Sequence, residues 1–354
     1  MAITTWMIYG AYGYSGRLIA KLAKEQGLTP VLAGRNAEKT KSVAEELGLE
    51  WRTFDLNEQS NIVKNLSGID AVVHCAGPFS STSQPMLEAC LAAKTHYFDI
   101  TGELAVFEFA HSGAINQQAI DANVMVCPGI GFDVIPTDCI AKALSEAMPD
   151  ATHLALGFAG SMALSPGTAK SMVESMAQGT KARRNGVIQN VKLATKDIDY
   201  DNGKGPRQSM TVSWGDVSTA FYTTGIKNID VYWPASNRII RQSKIASYLR
   251  PIFKLNAVQN FLKARVDKSV TGPDENKRAK AKVAVWGEAR NAKGEVKTAY
   301  VKTQNGYDVT ATGPIAIIKH LLANEVSNGS ITPSILMGKD FVSKLPESSV
   351  ITIL

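Results

Sequence analysis

Up to about residue 130, short apolar runs alternate with stretches whose apolar residues recur at helical spacing. The runs predict strands, and the helical stretches predict amphipathic helices between them. Strands that alternate with helices in this way are typical of a parallel sheet covered on both faces. The predicted strands are 6–9, 30–33, 51–54, 69–75, 96–100 and 124–127, and the predicted helices are 15–27, 37–47, 58–66, 84–94, 104–122 and 137–147.

The pattern changes after about residue 150, where strand-like segments follow one another without helices between them. Consecutive strands of this kind predict a mainly antiparallel sheet. A basic helical insertion at 236–268 interrupts them, and helical patterns return at 314–324 and 333–343. The predicted strands are 153–159, 186–199, 208–214, 226–233, 282–290 and 295–303.

The first predicted strand runs into a glycine-rich turn that opens the first helix. Its spacing, G-x-x-G-x-x-G, is a variant of the dinucleotide-binding fingerprint. Gly10 permits the tight turn, Gly13 lets the backbone approach a pyrophosphate, and Gly16 lets the helix pack close to the sheet. Tyr14 and Ser15 lie at the helix N-terminus, where backbone N–H groups bind phosphate. The turn therefore predicts a nucleotide-binding domain of the Rossmann type.

The end of the second predicted strand indicates which dinucleotide binds. NAD-specific sites place an acidic residue there for the ribose 2′-hydroxyl, whereas this chain has Gly34, Arg35 and Asn36. Gly34 leaves room, and Arg35 is a planar cation suited to the 2′-phosphate of NADP(H). The alternative is an exposed arginine in a loop. Asp55, after the third strand, is a candidate for the adenine side.

The fourth predicted strand ends in the small residues Ala76, Gly77 and Pro78. Small side chains let the nicotinamide half of a dinucleotide lie against the backbone. We therefore add these three residues to the predicted cofactor site.

Several of these segments resemble motifs of the saccharopine dehydrogenase-like NADP-binding oxidoreductases. Segments of the second half are similar to motifs of one branch of this family, the branch that contains the trans-acting enoyl reductases. The chain departs from the family pattern at Pro166, which replaces a glycine, and at Val134, which replaces a serine. The resemblance implies an NADP(H)-linked oxidoreductase fold. The matching segments are Gly10–Leu18, Cys75–Phe79, Tyr97–Glu103 and Pro128–Asp138, with Ser165–Ser171, Gly272–Arg278 and Trp286–Ala289 in the second half.

Together these features predict an α/β protein with a Rossmann doubly wound parallel sheet and a second α/β domain built on a mainly antiparallel sheet. The NADP(H)-binding domain is predicted at 1–135 and the substrate-side domain at 136–313, across the cofactor cleft. The C-terminal helices at 314–354 are expected to pack back on one or both domains.

Hydride transfer needs a group that gives or takes a proton, and the acids that follow the predicted strands are candidates. We predict Asp133, Asp99 and Tyr97 as catalytic residues, with helix capping as the alternative for both aspartates. Glu103 and Asp138 follow the same strands, and capping is favoured for Asp138. The spacing of Cys and His residues predicts no metal site.

Basic residues are concentrated in one segment. The net charge is +6, and eight Lys or Arg against one Asp lie between Arg238 and Lys268, interleaved with large apolar residues. This combination either lies in a membrane interface or forms helices packed on the protein with a solvated basic face. Pro251 predicts a break in the segment. No nucleic-acid-binding motif accompanies it.

No signal peptide and no apolar stretch of about 18 residues is present, so we expect a cytoplasmic protein. The sequence leaves two questions open: whether the protein contacts a membrane peripherally through 238–268, and whether it forms a homodimer.

These patterns favour an NADPH-dependent reductase that acts on a hydrophobic carbonyl or enoyl substrate. One alternative is a saccharopine-type amino-acid dehydrogenase, which needs several cations to hold carboxylates. Lys181, Arg183 and Arg184 form the tight basic cluster outside the insertion. The other alternative is a non-catalytic NADP(H)-binding sensor or lipid-surface protein.

Overall fold

The computed structural model describes residues 2–160, 165–270 and 281–354. The chain forms two compact units, each made from two segments. The first comprises Met1–Ile135 with Gly306–Met337, and the second comprises Pro136–Asn305 with Gly338–Leu354. The Gly272–Arg278 motif lies outside the described residues.

The first unit is built on a seven-stranded sheet in which every pair of neighbours is parallel. The strand order is β15-β6-β5-β4-β1-β2-β3, so the direction of winding reverses between β1 and β4. The strands are β1 (Trp6–Tyr9), β2 (Val31–Gly34), β3 (Trp51–Thr53), β4 (Ala71–His74), β5 (His96–Asp99), β6 (Met125–Cys127) and β15 (Gly329–Ser330). This architecture confirms the predicted Rossmann-type sheet. Ligands of such sheets bind beyond the carboxyl ends of the strands, at the reversal.

Helices alternate with these strands because the apolar stripe of each packs against the sheet; in α1 the buried positions are Gly16, Ile19, Ala20 and Ala23. The predicted helix at 104–122 is two helices, since Ser112 begins the second by accepting a hydrogen bond from the backbone N–H of Ile115 (3.3 Å). The helices are α1 (Tyr14–Glu25), α2 (Ala37–Leu47), α3 (Gln59–Asn65), α4 (Phe79–Ala93), α5 (Leu104–Ala110), α6 (Gly113–Ala122), α13 (Gly306–Ala323) and α14 (Pro333–Met337).

The tail differs from the helical segment predicted at 314–354. Its first helix, α13, begins at Gly306, eight residues earlier than the helical pattern indicated. Between α13 and α14 the chain adds strand β15 to the first sheet, where Gly329 pairs with Met125 and Ser330 with Val126. Two residues are too few to show strand periodicity, so the sequence pattern missed this edge strand.

The second unit is built on a sheet in which the β12–β7 pair is parallel and the other described pairs are antiparallel. This confirms the predicted mainly antiparallel sheet. Its central order is β10-β11-β12-β7-β13-β14-β16, with β8 and β9 attached to β12. The strands are β7 (Ala151–Gly160), β8 (Lys181–Arg184), β9 (Val187–Asn190), β10 (Thr195–Ile198), β11 (Arg207–Thr211), β12 (Asn228–Pro234), β13 (Lys282–Asn291), β14 (Val296–Gln304) and β16 (Thr352–Ile353).

Helix α7 packs on one face of this sheet. A side chain at Gly287 would collide with Ile140 and Leu144, so this glycine allows the close approach of α7 to β13. Pro166 lies at the start of α8, where the fixed backbone of proline suits a helix. The helices are α7 (Ile135–Ala147), α8 (Pro166–Met176), α9 (Asp216–Thr224), α10 (Asn237–Tyr248), α11 (Arg250–Phe253), α12 (Asn256–Ser269) and α15 (Phe341–Lys344).

Candidate nucleotide-binding site

The glycine turn between β1 and α1 has no room for side chains. Gly10 has a left-handed backbone (φ 87°), and a Cβ there would lie 2.8 Å from the backbone nitrogen of Ala76. A Cβ at Gly16 would lie 2.3 Å from the carbonyl oxygen of Gly10. The missing side chains therefore bring the N-terminus of α1 against the turn and leave the backbone open to a pyrophosphate.

The N-terminus of α1 is suited to an anion. Gly13 precedes the helix without a capping side chain, and the first turn contains no acidic residue. The partial positive charge of the helix end is therefore not neutralised by a carboxylate of its own first turn. Tyr14 packs edge-on against Tyr307 of α13, with 4.9 Å between the ring centroids. Tyr307 was missed in the sequence because it lies almost three hundred residues away from the turn.

The end of β2 presents a free cation. Arg35 is exposed and makes no ion pair with any described residue. Asn36 caps α2, its side-chain oxygen accepting a hydrogen bond from the backbone N–H of Lys39 (2.9 Å). Gly34 does not leave empty space as expected, because a Cβ there would lie 2.7 Å from the ring of Tyr12. The glycine thus accommodates the Tyr12 ring beside Arg35.

Asp55 lies close to the same corner. It is exposed, and its carboxylate accepts a hydrogen bond from the backbone N–H of Asn57 (3.0 Å). Burial chiefly raises the pKa of Tyr9, with smaller contributions from Tyr12 and Asp55, while Arg35 opposes them. Tyr12, Arg35 and Asp55 therefore lie within electrostatic range of the Tyr9 hydroxyl.

The Ala76–Pro78 loop is held in place by hydrogen bonds. The Thr82 hydroxyl donates a hydrogen bond to the carbonyl oxygen of Ala76 (2.6 Å), because a carbonyl oxygen can only accept. Since its proton is used in that bond, the hydroxyl accepts a hydrogen bond from Nε2 of His74 (3.1 Å). Burial lowers the pKa of His74 to about 3, and the ring is therefore neutral with its proton on Nε2. Its Nδ1 atom is buried and has no hydrogen-bond partner among the described residues. The chain of bonds holds the backbone on which a nicotinamide would lie.

Glu103 has a role that the sequence pattern did not indicate. Its carboxylate accepts hydrogen bonds from the backbone N–H groups of Phe79 (3.1 Å) and Ser80 (2.7 Å), the first residues of α4. It therefore caps a helix more than twenty residues away, beside the Ala76–Pro78 loop. Short-range capping patterns could not reveal this contact.

Tyr97 and Asp99 are completely buried. Asp99 accepts hydrogen bonds from the Tyr97 hydroxyl (2.7 Å) and from the backbone N–H groups of Thr101 (3.0 Å) and Gly129 (2.8 Å). Burial raises the pKa of Asp99 to about 6 despite these donors. Both residues thus tie together the loops after β5 and β6. Their part in proton transfer stays a prediction.

Asp133 is the one predicted catalytic residue with partly exposed atoms. Burial of its carboxyl group raises its pKa to about 7. A Cβ at Gly102 would lie 2.6 Å from its Oδ2, so this glycine makes room for the carboxyl group. The preceding N–H, that of Phe132, donates to the Thr310 hydroxyl of α13 (3.1 Å). The loop therefore presents a half-buried aspartate whose pKa is raised to about 7.

A parallel sheet, a turn with tightly packed glycines after β1 and an exposed arginine after β2 together define a dinucleotide-binding domain. Residues 6–127 match the family described as the saccharopine dehydrogenase NADP binding domain. The match over this part of the chain confirms the predicted resemblance and the predicted cofactor, NADP(H). The glycine turn and the unpaired Arg35 fit a dinucleotide with a 2′-phosphate.

Curated relatives extend the similarity beyond this domain. A protein of Mycobacterium tuberculosis H37Rv, named as a candidate trans-acting enoyl reductase, is 28% identical over 259 residues, which cover 67% of this chain and 60% of that protein. A trans-acting enoyl reductase of Mycobacterium bovis BCG is 32% identical over 139 residues, 37% of this chain and 33% of that protein. The chain thus aligns with less than two thirds of the length of either relative.

Solved structures share the fold along nearly the whole chain. Saccharopine dehydrogenase (L-Glu forming) from Saccharomyces cerevisiae matches with a TM-score of 0.64 at 12% identity, covering 99% of both chains. Homospermidine synthase from Legionella pneumophila, solved with NAD, matches with a TM-score of 0.59 at 9% identity, covering 96% of this chain and 88% of that one. At such identities the similarity concerns the fold alone.

Proposed function

We propose that the chain is an NADPH-dependent reductase of a hydrophobic carbonyl or enoyl substrate. Asp133 carries this proposal, because it is an accessible acid with a pKa near neutrality in the nucleotide-binding unit. The relatives named as enoyl reductases support the same reaction class. In this proposal Asp133 is the proton donor, and NADP(H), the cofactor of the matching family, is the source of the hydride.

The roles of the residues follow from their positions. NADPH, when bound, supplies the hydride. The glycine turn holds its pyrophosphate, and Arg35 binds the 2′-phosphate. Asp133 donates the proton that the reduced substrate requires, while Tyr97 and Asp99 hold the loops on either side. The hydride adds one hydrogen with two electrons and the acid adds one proton, so that a carbonyl would become an alcohol and an enoyl group a saturated chain.

The second unit contains an apolar surface that suits such a substrate. Trp214 and Trp233 are partly exposed and pack around Phe158, with centroid distances of 4.6 Å from Phe158 to Trp214 and 5.8 Å to Trp233. Aromatic side chains of this kind bind apolar chains through contact area. We infer that this cluster favours a lipid-like substrate over a polar one.

The saccharopine-type alternative is weaker, because its basic cluster serves the fold. Arg183 is buried, donates to the carbonyl oxygens of Val217 (2.9 Å) and Gly186 (2.7 Å), and stacks on the Phe221 ring. Arg184 forms an ion pair with Asp230 at 2.7 Å. These two cations are therefore committed to the protein and are poor receptors for substrate carboxylates.

The first experiment measures NADPH oxidation by the pure protein through the decrease in NADPH absorbance. The panel comprises enoyl thioesters, long-chain ketones, and lysine with 2-oxoglutarate. We expect turnover of an enoyl or ketone substrate. Turnover of lysine with 2-oxoglutarate would instead establish the amino-acid dehydrogenase. If no substrate caused NADPH oxidation while NADPH still bound, a non-catalytic sensor would be favoured.

The same assay tests the cofactor site through Arg35→Ala. A charge-assisted bond to phosphate contributes about 1.5–3 kcal/mol, so the affinity for NADPH should fall about 10- to 100-fold while that for NADH stays constant. Lys39→Ala, an exposed cation in α2, is the matched control. An unchanged preference for NADPH would contradict the role of Arg35.

A further inference from the structure

The basic segment folds as three consecutive helices, α10 to α12, that leave large apolar side chains in solvent. Ile240 is buried in α10, whereas α11 buries none of its residues. Ile245 is 55% exposed, Tyr248 85%, Ile252 50% and Phe261 60%. Monomeric soluble proteins rarely expose so many large apolar side chains in one place, so such a surface indicates a partner.

These side chains are arranged as one stripe. Tyr248 and Leu249 lie three and four residues after Ile245, and Ile252 lies four and three residues after them, the spacing of one helix face. The backbone at Leu249, between α10 and α11, leaves the α-helical region (φ −88°, ψ 5°). Leu255 is also exposed. The break predicted at Pro251 therefore falls at Leu249, and exposed apolar residues lie on both sides of it.

The opposite side of the segment is attached to the protein. The side-chain amide of Gln259 in α12 donates to the carbonyl oxygen of Val173 in α8 (3.1 Å), and Lys263 pairs with Glu174 (2.5 Å). Arg250 packs closely against Gly179. The segment is therefore attached to the protein through α12 and Arg250, while the residues of the stripe are exposed.

Cations surround the stripe, and acids do not. Exposed basic residues of the segment form no ion pair with any described residue, and no Asp or Glu occurs between 238 and 266. Within the described part of the chain, no helix is long and apolar enough to cross a membrane. The exposed cations are Arg238, Arg241, Lys244, Lys254 and Arg265.

We propose that α10–α12 dock the protein onto an anionic membrane surface, with the Ile245–Leu255 stripe in the headgroup region and the cations against the lipid phosphates. Apolar area and basic charge together favour this occupant, since a protein partner of neutral or basic surface would leave the cations unsatisfied. The docking surface is separate from the nucleotide site and does not depend on the proposed reductase activity.

The test is flotation of the full-length protein with vesicles, without NADPH or substrate. We expect binding to phosphatidylcholine vesicles with roughly 30 mol% phosphatidylserine, little binding to phosphatidylcholine alone, and loss of binding when salt rises from about 0.15 M to about 0.5 M. Equal binding to both vesicles, or to neither, would overturn the proposal.

Variants locate the surface. Ile245→Ser with Ile252→Ser should weaken binding at least tenfold, roughly, because two apolar side chains no longer enter the bilayer. Val350→Ser, at an even more exposed apolar residue outside the segment (74%), should have no effect. Arg241→Gln with Lys244→Gln should weaken binding about fivefold per charge, whereas Lys293→Gln with Lys319→Gln should not.

Two further measurements keep the outcomes distinct. An unchanged circular dichroism spectrum and Tm in all variants shows that they fold. Light scattering reports the oligomeric state: a dimer that Ile245→Ser with Ile252→Ser converts to a monomer would show that the stripe binds a second copy of the chain instead. Equal vesicle binding by the variants and the wild type would also refute docking through this face.

Discussion

At the residue scale, burial separates acids that look alike in the sequence. Asp99 and Asp133 both follow strands of the parallel sheet, but Asp99 is enclosed by three donors whereas Asp133 keeps exposed atoms. Both pKa values are raised because burial disfavours the charged carboxylate. Accessibility, not the pKa alone, is therefore the reason why Asp133 is the proposed proton donor.

Asp133 gives the proposed reduction a characteristic pH dependence. Because burial raises its pKa to about 7, the carboxyl group is protonated below that pH and loses its proton above it. We expect kcat/KM to fall as the pH rises through about 7. Asp133→Asn should remove this dependence and lower kcat by about 10²- to 10⁴-fold.

The control for this measurement is Asp121→Asn, an exposed acid on α6, which should keep the wild-type pH profile. NADPH affinity, measured in parallel, separates chemistry from folding. A profile that still falls near neutral pH in Asp133→Asn would show that another group donates the proton.

At the element scale, the nucleotide site depends on how closely α1, β1 and β4 approach one another. Gly10 meets the chain after β4, and Gly16 meets the carbonyl oxygen of Gly10. Glu103 caps α4 from a distant loop, and His74 and Thr82 hold the backbone after β4. The site is thus made chiefly of backbone that these contacts position.

Gly16→Ala tests this close approach. The added Cβ would lie 2.3 Å from the Gly10 oxygen, so the turn must shift. Overpacking of this kind costs about 1–3 kcal/mol, and we expect a lower Tm together with weaker NADPH binding. Calorimetry and fluorescence titration measure both.

Gly113→Ala is the matched control, because this glycine begins α6 and has no neighbouring atom within 4 Å of an added Cβ. Alanine favours a helix by up to about 1 kcal/mol over glycine, so stability should be unchanged or slightly higher. Equal behaviour of the two variants would argue against tight packing at the turn.

At the scale of the whole molecule, the nucleotide-binding unit is completed by residues that follow the second unit in the chain. Helix α13 packs against α1, the N–H of Ile3 donates to the carbonyl oxygen of Leu321 (3.2 Å), and β15 extends the parallel sheet. The first unit is therefore not contained in the first 135 residues. A tail far away in sequence is part of its core.

Shortened chains test this completion. Helix α13 buries Ile315, Ile317, Ile318 and Leu321, and burying such side chains contributes about 1.5–3 kcal/mol each. Their sum is comparable with the total stability of a domain, about 5–15 kcal/mol. A chain that ends after Asn305 should therefore lose NADPH binding.

A chain that ends after Met337 keeps α13 and β15 and should still bind NADPH, as measured by fluorescence titration. The comparison separates the tail of the first unit from the tail of the second. Full NADPH affinity in the chain that ends after Asn305 would show that α13 is dispensable.

The sequence by itself determined the alternation of strands and helices, the glycine turn, the family and NADP(H), because these depend on local periodicity and on residue types at short spacing. Only the tertiary structure decided which acids are accessible, that Glu103 caps α4, that Gly34 accommodates Tyr12, and that α13 and β15 complete the first unit. Each of these contacts joins residues brought together by packing between elements, and no local pattern encodes such pairs.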